Sequence, residues 1–518
     1  MAKGQSVPES TSNRNPTINL FSVSLIFCII IATIGIGWPE TFATAMSTFT
    51  NTTFDALGWF FVLSVSGMLV LSLWMAFGPY GHLKLGKPQD KPEFSTLSWL
   101  SMLFAAGMGV GLIFWSVAEP VIHFNTPPTG APPSAETARQ SLVITNLHWG
   151  LHAWAVYCTG ALVLAYFHFR KNEPYLAGAP IRASFKGRWV EPIARLADLL
   201  AVISVAFGVA GSMAMGIFQI HTGLHLVLGI PAQSIWVSGL LMALLFVCYM
   251  LSAATSLDKG IQILSNLNMA LAIALMLFVL LFGPTEFLLS TTFNSLGDYL
   301  TALPNLSLRM YPFSELGGWF KGWTLMYFIW WIAWAPFVGI FIARISRGRT
   351  IREFVLGVLL APTSFTIIWF AIFGGTGIHQ ELYGDANLAA LVNEDVTLAL
   401  FALFESLPGS AILSGLSLTL VFVFLITSVD SATFVLGMLT SKGSMDPPTS
   451  RKLGWGVTLA VLGTALMVSG NIDVVRAAAI SGAVPFTLIL MLQGAALIRT
   501  LRADRRRAQP KPHEEVQP

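Results

Sequence analysis

Long apolar runs separated by short polar punctuation fill the chain from about residue 19 to residue 498. A helix crossing a bilayer needs about 20 predominantly apolar residues. That criterion marks twelve segments: 19–39, 57–77, 96–118, 140–168, 191–221, 232–254, 260–284, 317–345, 352–377, 409–440, 453–470 and 475–498. Several exceed the minimum, which predicts tilt or a broken helix. The pattern is that of an all-α polytopic membrane protein with twelve transmembrane helices. An even number of spans puts both termini on the same side.

Composition agrees with the pattern. Hydrophobic residues make up 54% of the 518 and charged residues 11%, where a soluble domain carries about 25% charged residues. The net charge of +3 matters less than where the charges fall. With the N-terminus in the cytoplasm, all of the 29 Lys and Arg residues except Arg139, Arg309, Lys321 and Arg476 lie on cytoplasmic segments, as the positive-inside rule requires. Roughly twenty polar residues without a small-residue cleavage site precede the first span, so it reads as a retained helix and not a signal peptide. Cys28, Cys158 and Cys248 have no metal-ligand spacing and imply no disulfide framework. The basic tail (Arg502, Arg505, Arg506, Arg507, Lys511) reads as a cytoplasmic stop signal, with sensing of anionic lipid as the alternative. The spans hold no paired carboxylates, nucleophile elbow or metal-ligand cluster, which argues against an enzyme, and nothing points to nucleic acid.

Four stretches carry candidate chemistry. Trp323–Pro336, WTLMYFIWWIAWAP, lies near the middle of its span, whereas interfacial aromatic residues belong at span ends. At about 100° per residue, Trp323, Tyr327, Trp330, Trp331 and Trp334 share a stripe roughly 100° wide. Such a stripe is either core packing or a wall for a cationic ligand, since ring faces attract quaternary ammonium groups. The third span contains Ala105-Ala-Gly-Met-Gly-Val-Gly111. Each glycine weakens a helix by about 1 kcal/mol relative to alanine, and successive ones point about 200° apart, which suits close helix packing poorly. Local unwinding is expected instead, freeing backbone N–H and C=O groups for a substrate.

The fourth span contains Asn146-Leu-His-Trp-Gly-Leu-His-Ala-Trp-Ala-Val-Tyr157. On one continuous helix Trp149 and Trp154 stand about 140° apart with Tyr157 between them, half a cylinder that the Trp323–Trp334 stripe would close. His148 and His152, spaced i, i+4, are a possible metal pair, but without a third ligand they read better as packing or interhelical hydrogen bonds. The tenth span contains Phe424-Leu-Ile-Thr-Ser-Val-Asp430-Ser. An ionisable residue at that depth is functional or structurally paired. Its oxygens suit a hard cation, unless the hydroxyls bond back to their own helix.

Together Gly107–Gly111, His148-Trp149…Trp154…Tyr157, Trp330-Trp331…Trp334-Ala-Pro-Phe337, Arg344-Ile-Ser-Arg-Gly-Arg-Thr350 and Thr427-Ser-Val-Asp-Ser431 resemble the betaine/choline/carnitine transporters, from about residue 20 to 498. The resemblance implies two inverted five-helix repeats preceded by two extra N-terminal helices. The expected organisation is a tail over 1–18, accessory helices and a loop over 19–95, repeats over 96–284 and 317–498, an amphipathic connector over 285–316 and a basic tail over 499–518. It also implies that Trp149, Trp154, Tyr157 and Trp331 cage the ammonium head, and that the backbone of Gly107, Met108, Gly109 and Gly111 meets the carboxylate. Carbonyls of Ala105, Met108 and Phe424 with the hydroxyls of Thr427 and Ser428 would hold sodium. Phe114, Trp330, Trp334 and Phe337 resemble path and gate aromatics. Phe328 replaces a tryptophan found in many members, and the fifth span, Ser204 to Gly216, lacks the threonines associated with a second sodium.

Choline carriers of the family often have Asp at the position of Gly111, whereas glycine leaves an anion-accepting backbone suited to a zwitterion. The expectation is sodium-coupled uptake of glycine betaine or a related onium osmolyte by alternating access. The carrier would be a homotrimer in the lipid of a prokaryotic inner membrane. A proton-coupled choline or carnitine carrier is the rival in the same class. A channel is the rival in another class, although no repeated filter sequence is present.

Overall fold

The computed structural model describes the backbone of residues 19–107, 109–232, 234–255, 258–384 and 387–508. The expected N-terminal tail, residues 1–18, and residues 509–518 of the expected C-terminal tail (499–518) lie outside the described residues. Helices account for nearly all the regular structure, with an isolated bridge between Lys84 and Thr350. Among the described residues, ten helical stretches are long and apolar enough to cross a membrane.

The Asn19 side chain accepts a hydrogen bond from the Phe21 N–H and opens α1 (Leu20–Gly37). Pro39 opens α2 (Pro39–Phe77) at the first helical position, where its missing N–H is no loss. α2 has 39 residues, about 58 Å at 1.5 Å per residue, nearly twice the thickness of a hydrocarbon core. The sequence predicts a membrane span only over residues 57–77, where the run is apolar enough to cross. The chain is helical before residue 57 regardless.

The third expected span is divided at its glycines. α3 (Thr96–Gly107) stops, Gly109 is extended (φ −133°, ψ −179°), and α4 (Val110–Asn125) begins. The fourth is divided too, which the residue pattern did not foretell. α5 (Ala135–Trp149) starts in a capping box of Ser134 and Thr137 and ends at Gly150 (φ −96°, ψ −133°), where α6 (Leu151–Lys171) resumes. After α7 (Ala179–Ser184), α8 (Val190–Leu228), α9 (Ile235–Thr255) and α10 (Asp258–Phe282) comes the connector α11 (Thr285–Leu306). It buries Leu288, Ser295 and Tyr299 and exposes Leu289, Phe293, Leu296 and Leu300. α12 (Gly317–Phe320) passes through a π-helical turn (Lys321–Leu325) into α13 (Met326–Arg344). α14 (Ile351–Tyr383), the short α15 (Leu388–Glu394) and α16 (Ala399–Glu405), α17 (Ser410–Leu439), α18 (Thr449–Val468), α19 (Ile472–Ser481) and α20 (Ala483–Ala508) complete the order. α20 carries Arg499 to Arg507, so the basic segment is helical as far as residue 508.

Burial separates centre from rim. In the apolar stretch of α5–α6, 94% of residues are buried, and in α8 89%, against 22% in α1. α13 lies along α6, and α17 along α8. Glycines allow the closest approaches: a Cβ on Gly374 of α14 would stand 2.5 Å from Pro120 of α4, and one on Gly211 of α8 2.6 Å from Ala479 of α19. Such contacts let helix backbones approach where burial of apolar surface gives little drive.

Candidate substrate site

The break at Gly150 sets the local geometry. A bent helix leaves backbone groups without partners, and inside a membrane protein these must be satisfied by neighbouring elements. Three neighbours supply them. The His148 carbonyl accepts from Trp331 Nε1 of α13 at 2.7 Å. The Trp149 carbonyl lies 3.4 Å from the Thr366 hydroxyl of α14, which it shares with the nearer Thr363 carbonyl at 2.9 Å. The Leu151 N–H donates to the Tyr299 hydroxyl of α11 at 2.9 Å.

Around this bend the four expected cage rings are contiguous and buried, each between 3% and 8% exposed. Trp154 meets Tyr157 at 5.5 Å and 82°, Tyr157 meets Trp331 at 6.0 Å and 84°, and Trp331 meets Trp149 at 5.0 Å and 73°. Successive rings are thus nearly perpendicular and meet edge to face. Phe370 of α14 adds a ring 5.4 Å from Trp149. The Gly111 backbone lies against the same corner: a Cβ there would sit 3.4 Å from Trp149 Cη2.

The aromatic stripe of α13 divides. Trp323, Tyr327 and Trp331 stack in succession at 6.3 Å and 6.2 Å, with interplanar angles of 24° and 22°. Trp334 turns away: its Nε1 would lie 3.4 Å from a Cβ on Gly208 of α8, and its ring meets Phe337 at 5.6 Å. Trp330 is half-buried. The i+3 step from Trp331 to Trp334 turns the side chain about 60° backwards, enough to move it to another neighbour. Phe114 is buried and packs on Trp115 at 5.1 Å, and Trp115 abuts Trp323 at 5.7 Å.

Glu119 of α4, which the sequence motifs did not single out, joins the polar edges of this cluster. Its Oε2 accepts from Trp149 Nε1 at 2.7 Å and from the Tyr327 hydroxyl at 2.5 Å. Its Oε1 lies 2.6 Å from His148 Nδ1, and His148 Nε2 is 3.0 Å from the Thr324 hydroxyl. With Glu119 a carboxylate, Nδ1 donates to it. Glu119, His123 and His148, all buried, also bring one ligand atom each within 4.8 Å of one another, which corrects the expectation that His148 has no further metal-ligating residue beside it. Three of the carboxylate's roughly four acceptor positions are already filled by protein donors, so the group is wired as a hydrogen-bond hub. The signal was available, since a lone carboxylate in an apolar span is functional by default. His148 and His152 do not converge, because the bend separates them and His152 stacks on Phe328 at 5.4 Å. At the far end of the stack the Arg476 guanidinium lies 5.2 Å from the Trp115 ring and 5.1 Å from Trp323, and donates to the Gly322 carbonyl at 2.9 Å.

For the expected sodium ligands the placement is partial. Met108 lies outside the described residues, as does the side chain of Ala105. The Thr427 hydroxyl bonds back to the carbonyls of Val423 and Phe424 at 3.1 and 3.2 Å, and Ser428 is half-buried beside it. Gly107 closes α3, and Gly109 is the extended residue of the break.

Comparison with known proteins decides the family. The family described as "BCCT, betaine/carnitine/choline family transporter" matches residues 19–506. This chain belongs to the BCCT family. A glycine betaine transporter of Bacillus subtilis, OpuD, is 41% identical over 93% of this chain and 95% of its own length. An ectoine/hydroxyectoine transporter of Virgibacillus pantothenticus is 39% identical over 97% and 99%. An osmo-dependent choline transporter of Acinetobacter baylyi, BetT2, is 35% identical over 94% of this chain and 71% of its own. As a BCCT member the chain is a multi-pass membrane transporter and not an enzyme. These relatives are named for three different substrates, so the family alone leaves the cargo open and the ring cluster must be weighed on its chemistry.

Proposed function

We propose that this BCCT protein couples inward sodium movement to uptake of glycine betaine or a closely related onium zwitterion. The observation that carries the reading is the chain of near-perpendicular rings Trp154, Tyr157, Trp331 and Trp149, two of which have their N–H groups taken up, Trp149 by Glu119 and Trp331 by the His148 carbonyl. At Trp149 and Trp331 that leaves ring faces, not N–H groups, for the ligand. A quaternary ammonium loses no N–H hydrogen bonds on leaving water, and each face contributes about 0.5–2 kcal/mol. The N–H groups freed between Gly107 and Gly111 at the start of α4 suit the substrate carboxylate, and the absence of a side-chain carboxylate at Gly111 favours a zwitterion over choline. Oxygens of Ala105, Met108, Phe424, Thr427 and Ser428 would take sodium between the broken third span and α17. Ion binding there would order the break, and rocking of one helix group against the other would give alternating access.

The same reading holds that the helices form twelve spans, with breaks at corresponding places in two repeats (96–284 and 317–498), both termini in the cytoplasm, and three copies to an assembly. Uptake into proteoliposomes, measured with a panel of labelled onium compounds with and without a sodium gradient, tests it. Glycine betaine uptake that collapses with the sodium gradient while the proton gradient stands supports the proposal. Uptake that follows the proton gradient, or single-channel conductance in a planar bilayer, overturns it.

A further inference from the structure

We infer that Tyr299, on the connector helix α11, is a positioning residue for the ring cluster: its hydroxyl closes the bend at Gly150 and so fixes Trp149 and Trp154 on either side of it. Gly150 has no side chain to fill the bend, and a Cβ there would stand 2.5 Å from the Asn146 carbonyl and 2.7 Å from the Tyr299 hydroxyl. The hydroxyl therefore occupies the space the glycine leaves. It also receives the Leu151 N–H at 2.9 Å, the first amide of α6. Tyr299 is fully buried, in a small apolar cluster with Leu147 and Ile367 that also includes Leu303 and Leu306. Phenylalanine would serve that packing equally well. What the hydroxyl adds is the bond to the bend.

The rest of α11 sets the register. Ser295, Asp298 and Tyr299, at i, i+3 and i+4, share one face. Along α5 they meet Asn146 Nδ2, which donates to the Ser295 hydroxyl at 2.7 Å, and Arg139, paired with Asp298 at 2.6 Å. Three polar attachments from one turn of the connector thus converge on α5 and its bend. Moving α11 by one residue would take the hydroxyl out of the gap. Trp149 precedes Gly150 and Trp154 lies one turn beyond it, so a freer bend changes the relation of two cage walls without touching either ring.

The inference rests on the reading of these rings as the substrate site, and its test separates the two. Tyr299→Phe removes the hydroxyl alone. Amide hydrogen exchange over the peptide 147–155 in the purified protein, with no substrate present, is expected to gain one amide exchanging at least about tenfold faster. In proteoliposomes the KM for glycine betaine is expected to rise about fivefold with Vmax within about twofold, a split that general destabilisation does not produce. Unchanged exchange, or faster exchange with an unchanged KM, overturns the inference. Should Tyr299→Phe not reach the membrane, Ser295→Ala loosens the same face through Asn146 and is expected to move both readouts about twofold in the same directions. Failure to move either overturns the inference as well. A wild-type protein that takes up no onium compound would remove the substrate reading and leave the exchange result to decide the brace.

Discussion

Replacing Trp331 separates recognition of charge from mere packing. Its ring is buried between Trp149 at 5.0 Å and Tyr157 at 6.0 Å, and its N–H is held by the His148 carbonyl. Leucine keeps an apolar side chain there and removes the π face. A desolvated cation over an indole is worth about 1–2 kcal/mol, and about 1.4 kcal/mol corresponds to tenfold in affinity. The loss for glycine betaine should therefore be about 5- to 30-fold. Phenylalanine keeps a ring face and forfeits one neutral hydrogen bond, about 0.5–1.5 kcal/mol, so it should fall between. The assay is inhibition of labelled betaine uptake by glycine betaine and by 3,3-dimethylbutyrate, which has the same shape with a neutral tert-butyl group in place of trimethylammonium. In Trp331→Leu the betaine constant should rise about tenfold while that of the neutral analogue stays within roughly threefold. Equal losses for both ligands would mean that the ring only fills space, and the cage would have to be given up.

Other substitutions probe the parts around the rings. Thr427→Ala with Ser428→Ala should raise the sodium concentration for half-maximal uptake, and an unaltered sodium curve would take those hydroxyls out of the ion site. Glu119→Gln keeps the shape and removes the charge to which Trp149, Tyr327 and His148 are bound. Hydrogen bonds to a charged group contribute about 1.5–3 kcal/mol, so the betaine KM should rise about tenfold or more in correctly inserted protein; a wild-type KM would show that the rings hold their orientation without it. The Arg139 hydrogen bonds and charge hold the Asp298 carboxyl below its ordinary value. A depressed acid stabilises the fold above its unfolded pKa of about 3.9 and loses that contribution as pH falls through the folded value. With Arg139 59% exposed, the pair is worth about 0.2–1 kcal/mol. Melting curves of wild type and Asp298→Asn should differ by a constant amount from about pH 5 to 8 and converge below about pH 4, and a gap that persists in acid would refute the assignment.

How much of the fold and site was legible in the sequence depended on whether local composition signalled a departure from regular helix. Gly107, Gly109 and Gly111 announced the break in the third span, since three losses of helix propensity within five residues add up to about 3 kcal/mol at one place. Gly150 gave no such warning, because one glycine in an otherwise helical pattern is tolerated at about 1 kcal/mol. Helical-wheel arithmetic carried across it placed Trp149 and Trp154 on one helix, while the structure puts them on two. The same rings come together in the structure, but their relation is set by tertiary bonds made by Trp331, Thr366 and Tyr299. The α13 stripe failed for Trp334 without any break in the helix, because α8 claims that ring through Gly208.

The places where regular helix fails are also the places the rings occupy. The third span opens between Gly107 and Val110, the fourth bends at Gly150, and α13 is entered through a π turn over Lys321–Leu325. Non-helical backbone at membrane depth survives only where protein or a lined cavity receives its polar groups, and π turns gather at functional sites. All three irregularities lie near the cluster of Trp149, Tyr327 and Trp331: Gly111, one residue into α4 after the break, faces Trp149, the His148 carbonyl at the bend takes the Trp331 N–H, and Thr324 in the π turn bonds His148. A bundle selected for stability alone would have no use for three such faults around one set of rings. Their convergence is what a binding site buried in a membrane requires, because a regular helix has already spent its interior N–H and C=O groups on itself and has none left for a ligand.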